Sequence, residues 1–304
     1  MILSFDFLAL KRKFKEEGFM GRKGKKEPAE PQYYMSATNM PAYNYKVYYM
    51  SFLEKALYFL LAFAVGAAVG YLFYGGIGKD QYGDPTTLTW VLDIGISGGV
   101  GITAGVLFLP IRTKQIIKKR RRNLSSQFRD MLDALSTSLG AGKNVMESFT
   151  SVYEDLKVQY DEGAFILREL ELILSGIANN IEIEELLLDF GERSGVDDIK
   201  SFANVFKISY RKGGNIKDTI RTTHQILSDK MEISEEIETV VTSNKMEQNM
   251  MIAMPVILVG LIKMMSPDFA ANFATPTGIL STTIAVAMFV VAYYVGKNIL
   301  DIKV

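Results

Sequence analysis

Four stretches of the chain are apolar almost throughout. Between the second and third lies a long run in which apolar residues recur every three or four positions. The first stretch, residues 56–76 (ALYFLLAFAVGAAVGYLFYGG), carries no charge and is about long enough to cross a bilayer as a helix. The second, 88–109, holds one acid, Asp93, and is rich in glycine: Gly95, Gly98, Gly99, Gly101 and Gly105. The third, 250–265, has Pro255 near its start and Lys263 near its end, and the fourth is 278–296. Gly66 and Gly70 make a GxxxG pair, a spacing that lets two helices approach closely. Polar loops are expected at 77–87, with Asp80, Gly83, Asp84 and Pro85, and at 266–277.

The interval between the second and third stretches reads as helix after helix. Leu124, Phe128, Met131, Leu132, Leu135 and Leu139 share one helical face, and Gly140 and Gly142 end that helix. Asn144 with Glu147 resembles a capping box, with Asn in place of Ser or Thr, and opens a helix over 145–160. Further helices are expected at 164–175, at 182–194 with Gly195 as terminator, and from 197 or 198 to 210 before Gly213 and Gly214. Residues 176–180 read as a turn, and Asn215 caps a last long helix through Ile216, Ile220, Ile226 and Leu227. That makes six helices and no strand. The corners at 142–145 and 214–216 are alike, a hint of two three-helix halves.

Charge sets the orientation. The 34 basic and 34 acidic side chains cancel, but the basic ones gather near the membrane ends: Arg112, Lys114, Lys118, Lys119, Arg120, Arg121 and Arg122, the stretch 11–26, Lys245, Lys297 and Lys303. The two opposite loops hold only Lys79, with Lys263 close to one of them. The positive-inside bias therefore places both termini and the central domain in the cytoplasm. A mean hydropathy of +0.12 beside 22% charged residues suits a chain divided between lipid and water. The expected fold is an all-α membrane protein with four transmembrane helices and a cytoplasmic six-helix bundle inserted between helices 2 and 3. Its divisions are a cytoplasmic tail with basic linker at 1–54, a transmembrane hairpin at 55–110, the helical domain at 111–248, and a second hairpin with a short tail at 249–304.

Residues 1–10 are apolar and 11–26 basic, the reverse of a secretory signal, so 1–10 read as a short interfacial or docking helix. Residues 11–41, rich in Gly, Pro and charge, read as a flexible tail. Tyr33, Tyr34, Tyr43, Tyr45, Tyr48 and Tyr49 suit either the headgroup layer or ordinary packing on the protein's own surface.

Little in the chain offers chemistry. There is no cysteine, which excludes disulfides, a thiol nucleophile and thiolate metal sites, and the one histidine, His224, forms no metal motif. Residues 140–144 (GAGKN) mimic a phosphate loop. A Walker A pattern, however, needs glycine where Thr137 stands and Ser or Thr where Asn144 stands, so a helix corner is the better reading. Glu182, Glu184, Glu185 and Asp189, and later Glu232, Glu235, Glu236 and Glu238, read as solvated or partner-facing acidic surfaces. The basic run 112–122 beside a membrane exit fits topology and anionic lipid better than nucleic acid. Asp93 and Lys263 lie at similar depth near the outer ends of their spans. An ion pair joining the two hairpins is expected there, with independent snorkelling as the competing arrangement. No catalytic, cofactor-binding or metal residue is expected, and the chain does not read as an enzyme.

Several stretches together resemble the F-domain membrane platform proteins of type II secretion and type IV pilus machines, most closely the Tad (tight adherence) type. The residues that carry the resemblance are 128–139 with Ala141-Gly142, 169–176, LLLDFGERSGVDDIKSF at 186–202, and Gly213-Gly214-Asn215. They continue with Pro255, Ser266-Pro267-Asp268-Phe269, Thr275-Pro276-Thr277-Gly278 and the closing Ile302-Lys303-Val304. The match covers about 124–304, and residues 1–50 have no counterpart in it. Larger members of that family carry two such domains. One domain favours the Tad-like subgroup, whose members often act as a pair. The resemblance implies a non-enzymatic scaffold in the cytoplasmic membrane, coupling a cytoplasmic hexameric secretion ATPase to pilin assembly. Its partners would be that ATPase, a sister platform protein or further copies of itself, pilin subunits and membrane lipids. The alternative is a transporter or channel with a cytoplasmic helical regulatory domain. Such a protein would be expected to show broken helices and polar groups near mid-membrane.

Overall fold

The computed structural model describes residues 30–36, 40–79 and 84–300. Residues 1–10, most of the 11–41 stretch, Asp80 and Gly83 of the first loop, and Ile302-Lys303-Val304 lie outside the described residues. Of the described residues, 81% are helical. Four helices are long and apolar enough to span a membrane: α1 (Phe52–Tyr74), α2 (Thr87–Gly140), α7 (Ile216–Met265) and α9 (Pro276–Leu300). The chain divides into two compact units, one of Met1–Tyr49 with Lys114–Asp229 and one of Met50–Thr113 with Lys230–Val304.

The first unit is built from the later part of α2, from α3 (Val145–Gln159), α4 (Phe165–Ala178), α5 (Ile183–Ser194) and α6 (Asp197–Arg211), and from the start of α7. Helices α3 and α7 begin at asparagines whose side chains accept from the free N–H groups. The Glu147 N–H donates to Asn144 Oδ1 at 2.9 Å, and the Asn144 N–H donates back to Glu147 Oε2 at 3.3 Å, completing the capping box. Asn215 Oδ1 accepts from the Asp218 N–H in the same way at the start of α7. Gly142 (φ 88°) and Gly195 (φ 62°) take the left-handed turns that end α2 and α5.

The expected turn at 176–180 starts later than glycine suggested. Helix α4 runs on through Gly176 to Ala178, and Asn180, at φ 59°, takes the left-handed turn instead. Gly176 serves packing: a Cβ there would lie 2.5 Å from Leu186 Cδ2. The expected amphipathic face of α2 faces inward, with Leu124, Phe128, Met131, Leu132 and Leu135 fully buried. Around Phe128 the aromatic core closes edge to face, with Phe190 of α5 at 6.1 Å and Phe202 of α6 at 5.4 Å.

Two strands, not expected from the sequence, stand at the beginning of this unit. β1 (Tyr33–Met35) pairs antiparallel with β2 (Pro41–Tyr43), in register Tyr33 to Tyr43 and Met35 to Pro41. Strands of three residues leave too short an alternation to be read from sequence.

In the second unit, α1 and the first part of α2 form an antiparallel hairpin locked by glycines from both sides. A Cβ on Gly66 would come within 2.8 Å of Ala104 Cβ, and one on Gly70 within 3.1 Å of Ser97 Cα. Reciprocally, Gly101 lies under Phe63 and Gly105 under Phe59. Close backbone approach of this kind is what drives helix association where the solvent is itself apolar.

Two further expectations are corrected. Span and adjoining helix are single elements: α2 continues through Pro110 for 54 residues, and α7 continues through Pro255 for 50. The stretch 266–277 is not merely a loop, since it contains α8 (Pro267–Phe273), capped by Ser266 Oγ, which accepts from the Phe269 N–H at 3.3 Å.

Candidate functional site

The residues that the sequence offered for chemistry do not converge. Lys143 stands at the corner between α2 and α3, where its ammonium donates to Ser151 Oγ and Gly142 makes the turn. His224 lies on α7, with Nε2 3.3 Å from Ser228 Oγ and 3.8 Å from Asp133 Oδ1. The acidic set at 182–189 is not a solvated surface throughout. Glu184 is buried, Arg211 bonds Glu184 at 3.2 Å and Glu182 at 2.9 Å, and Asp189 accepts from Arg193 Nε at 2.7 Å. Glu232, Glu235, Glu236 and Glu238 remain on the exposed side of α7. Among the described residues no three His, Asp or Glu side chains gather as a metal site would require.

Asp93 and Lys263 do not pair. Asp93 Oδ1 accepts from the Gly76 N–H at 3.0 Å, while Lys263 Nζ donates to the Leu72 carbonyl at 2.7 Å and sits 4.7 Å over the Phe273 ring. Lys263 thus meets a carbonyl of the last turn of α1, where helical partners run out, and Asp93 meets the Gly76 N–H two residues beyond that helix. Each charge is hydrogen-bonded to main chain there and not to the other.

The most concentrated polar arrangement lies in the first unit and was not foreseen. The Arg193 guanidinium holds Glu169 at both carboxylate oxygens, and the Tyr45 hydroxyl donates to Glu169 Oε1 at 2.9 Å. Arg193 Nη1 also donates to the Tyr43 carbonyl at 3.0 Å, and the Tyr45 N–H donates to the Arg193 carbonyl at 3.0 Å. Tyr45 packs edge-on to Phe165 at 5.5 Å, and Arg120 stacks 4.1 Å over Tyr48 and donates to the Tyr43 hydroxyl. Asn44 beside them is fully buried and bonds the Pro31 carbonyl and Glu30.

Burial pushes the Tyr45 phenol well above its ordinary 10.0, and Glu169 adds to it. For Arg193, burial opposes the charge, but Glu169 and Asp189 outweigh it and hold the group above its ordinary value. Every strong donor and acceptor here is matched by another within the chain. The arrangement therefore fastens the 40–49 segment to α4 and α5 as a strap. Residues 30–36 and 40–49, expected as part of a tail, are ordered against this unit through Asn44, Tyr43 and Tyr45. Tyr43 and Tyr45 pack on protein rather than in a headgroup layer, because the buried carboxylate needs the Tyr45 hydroxyl and Phe165 offers an aromatic seat.

A signal for this network was present in the sequence. Glu169 falls on the apolar face of its helix with Ile166, Leu170 and Ile173, and Arg193 falls with Leu186 and Phe190 on that of its own. Opposite charges placed on two inward faces mark a buried pair.

No family model, curated protein or solved structure matches the chain. At the level the fold reaches, it is a mainly helical protein with four helices long and apolar enough to cross a membrane.

Proposed function

We propose that the chain is a platform protein of a type II secretion or Tad-type pilus-like assembly machine. It would sit in the cytoplasmic membrane with both termini and the 114–229 unit in the cytoplasm. There it would couple a cytoplasmic secretion ATPase to pilin assembly, with a sister platform protein or further copies beside it. The observation that carries this reading is the chain order. Two membrane-length helices precede a helical unit with its own aromatic core, two follow it, and the stretches resembling the platform family make up that core and the cap of α8. In particular, the 186–202 stretch supplies Phe190, Phe202 and the Gly195 turn between α5 and α6.

A scaffold also suits the two intramembrane charges better than a transporter does. Asp93 and Lys263 are each bound to main chain near helix ends, which leaves neither as a mid-membrane relay. The orientation rests on the charge asymmetry of the loops.

The decisive experiment is purification of the tagged chain from native membranes. A secretion ATPase and a second platform chain recovered in stoichiometric amounts would support the proposal, and substrate flux through reconstituted vesicles would favour the transporter. Orientation is read separately by single cysteines in this cysteine-free chain. Asn272→Cys should react with an impermeant reagent on whole cells, and Ser201→Cys should react only after the membrane is opened.

A further inference from the structure

Helix α7 carries a face that nothing in the second unit covers. From Lys230 to Asn249 no residue is buried, although Ile233, Ile237 and Val240 form one row at spacings of four and three. Ile233 is 55% exposed and Val240 63%. Glu232 and Glu236 border the row on its outer side. Val240 precedes Met250, where the third apolar stretch begins, by ten residues, about 15 Å along the helix axis. The row therefore lies outside the apolar stretch, in water.

An apolar row edged with acid fits an amphipathic segment edged with base. The chain possesses such a segment at its start. Leu3, Phe7, Leu10 and Phe14 recur at helical spacing, and Lys11, Arg12, Lys13 and Lys15 cluster beside them. We propose that residues 1–15 of a second copy of this chain dock on the Ile233–Ile237–Val240 row, with their basic residues toward Glu232 and Glu236. Two α7 faces laid against each other would oppose acid to acid, which disfavours the symmetric alternative. Contact between a leading segment and α7 is heterologous, so it links copies in series rather than closing a pair. The proposal rests on the platform reading only in taking several copies to stand together.

The absence of cysteine makes the test direct. Chains carrying Phe7→Cys and Ile233→Cys are purified separately, mixed in nanodiscs of zwitterionic lipid and treated with a short bismaleimide. A cross-linked dimer containing one chain of each kind is expected. Glu232→Lys with Glu236→Lys in the Ile233→Cys chain should lower its yield about tenfold. Adding Lys11→Glu, Lys13→Glu and Lys15→Glu to the other chain should restore it, and this rescue also shows that the reversed helix is folded.

The proposal is overturned if no mixed dimer forms or if its yield ignores the charge reversals. It is equally overturned if a chain with both cysteines cross-links to itself at a rate independent of concentration, which would make the segment its own occupant. Loss of the dimer on adding anionic lipid would assign the segment to the membrane surface. Co-purification of an ATPase alongside a failed cross-link would end this inference while leaving the platform reading in place.

Discussion

Arg193 and Glu169 form a two-point ion pair, Nη1 to Oε1 at 3.1 Å and Nη2 to Oε2 at 2.8 Å, with only 5% and 1% of their side chains exposed. A fork matched to a carboxylate in this way is the strongest geometry available to two such groups. It is also costly to break from one side, because the survivor stays buried and charged.

Glu169→Gln should therefore cost about 3–5 kcal/mol of local stability. Replacing the whole set, Glu169→Leu with Arg193→Met and Tyr45→Phe, should recover most of that loss by leaving no buried charge behind. Native-state hydrogen exchange of the α4 and α5 amides in the full chain measures both. A triple variant as unstable as the single one would show that the pair itself, not the orphaned charge, carries the energy.

The strap predicts a change in accessibility. Ala42, within the strap, is fully buried. A cysteine at Ala42 should react slowly with maleimide in the otherwise unaltered chain, and at least about tenfold faster once Tyr45→Ala removes the anchor, a truncation of the kind that costs several kcal/mol at a buried aromatic. Equal rates in the two backgrounds would mean that Tyr45 does not hold the segment.

Glycines on the two faces of the α1–α2 hairpin should behave oppositely. Gly66→Leu places atoms where Ala104 and the Gly101 backbone already lie, and should lower detergent stability by about 1–3 kcal/mol. Gly95 has nothing within 4 Å of its missing Cβ, so Gly95→Ala should be neutral or raise the melting temperature through helix propensity. Thermal unfolding of both variants in one detergent decides the matter.

Because Asp93 and Lys263 each bind main chain at or just beyond the end of α1 and not each other, their losses should add. Asp93→Asn, Lys263→Gln and the double variant should close a thermodynamic cycle to within about 0.5 kcal/mol. A coupling of 1 kcal/mol or more, flagged by a double variant more stable than the sum, would point to a direct pair after all.

Two tyrosines set a pH limit on the first unit. The Tyr153 hydroxyl donates to Glu171 at 2.8 Å, and this bond, with burial and the carboxylate charge, pushes its phenol to about 12. Burial, then the bond to Asp130, pushes Tyr160 to about 12 as well. The folded state thus holds these protons more tightly than the unfolded chain, whose phenols titrate near 10. Their stabilisation is complete below pH 10 and is lost as pH rises from about 10 to 12. Spectrophotometric titration should show Tyr153 and Tyr160 among the late phenols, beside Tyr45. Tyr160→Phe should flatten the alkaline loss of stability, measured by urea unfolding at pH 9 and pH 11.

The pattern of apolar residues was enough to determine that the chain is mainly helical, where its four apolar stretches lie, and where the caps at Asn144 and Asn215 fall. These are short-range properties, set by neighbours within a turn or two of helix. The sequence also marked Gly66 and Gly70 as a contact, because only a hydrogen at that spacing lets two backbones meet. It did not show that Gly101 and Gly105 answer them from α2 beneath Phe63 and Phe59, since that pairing depends on how the hairpin closes. Nor did it show the partners of its charges. Asp93 and Lys263 looked like a pair by depth alone, but depth says nothing of direction, and each is bonded instead to a backbone group at or just beyond the end of α1. Glu169 and Tyr45 stand 124 positions apart, and Arg193 a further 24 beyond Glu169. Only folding brings such residues together, because the free energy of burying a charge is settled by whatever groups the packed helices place around it.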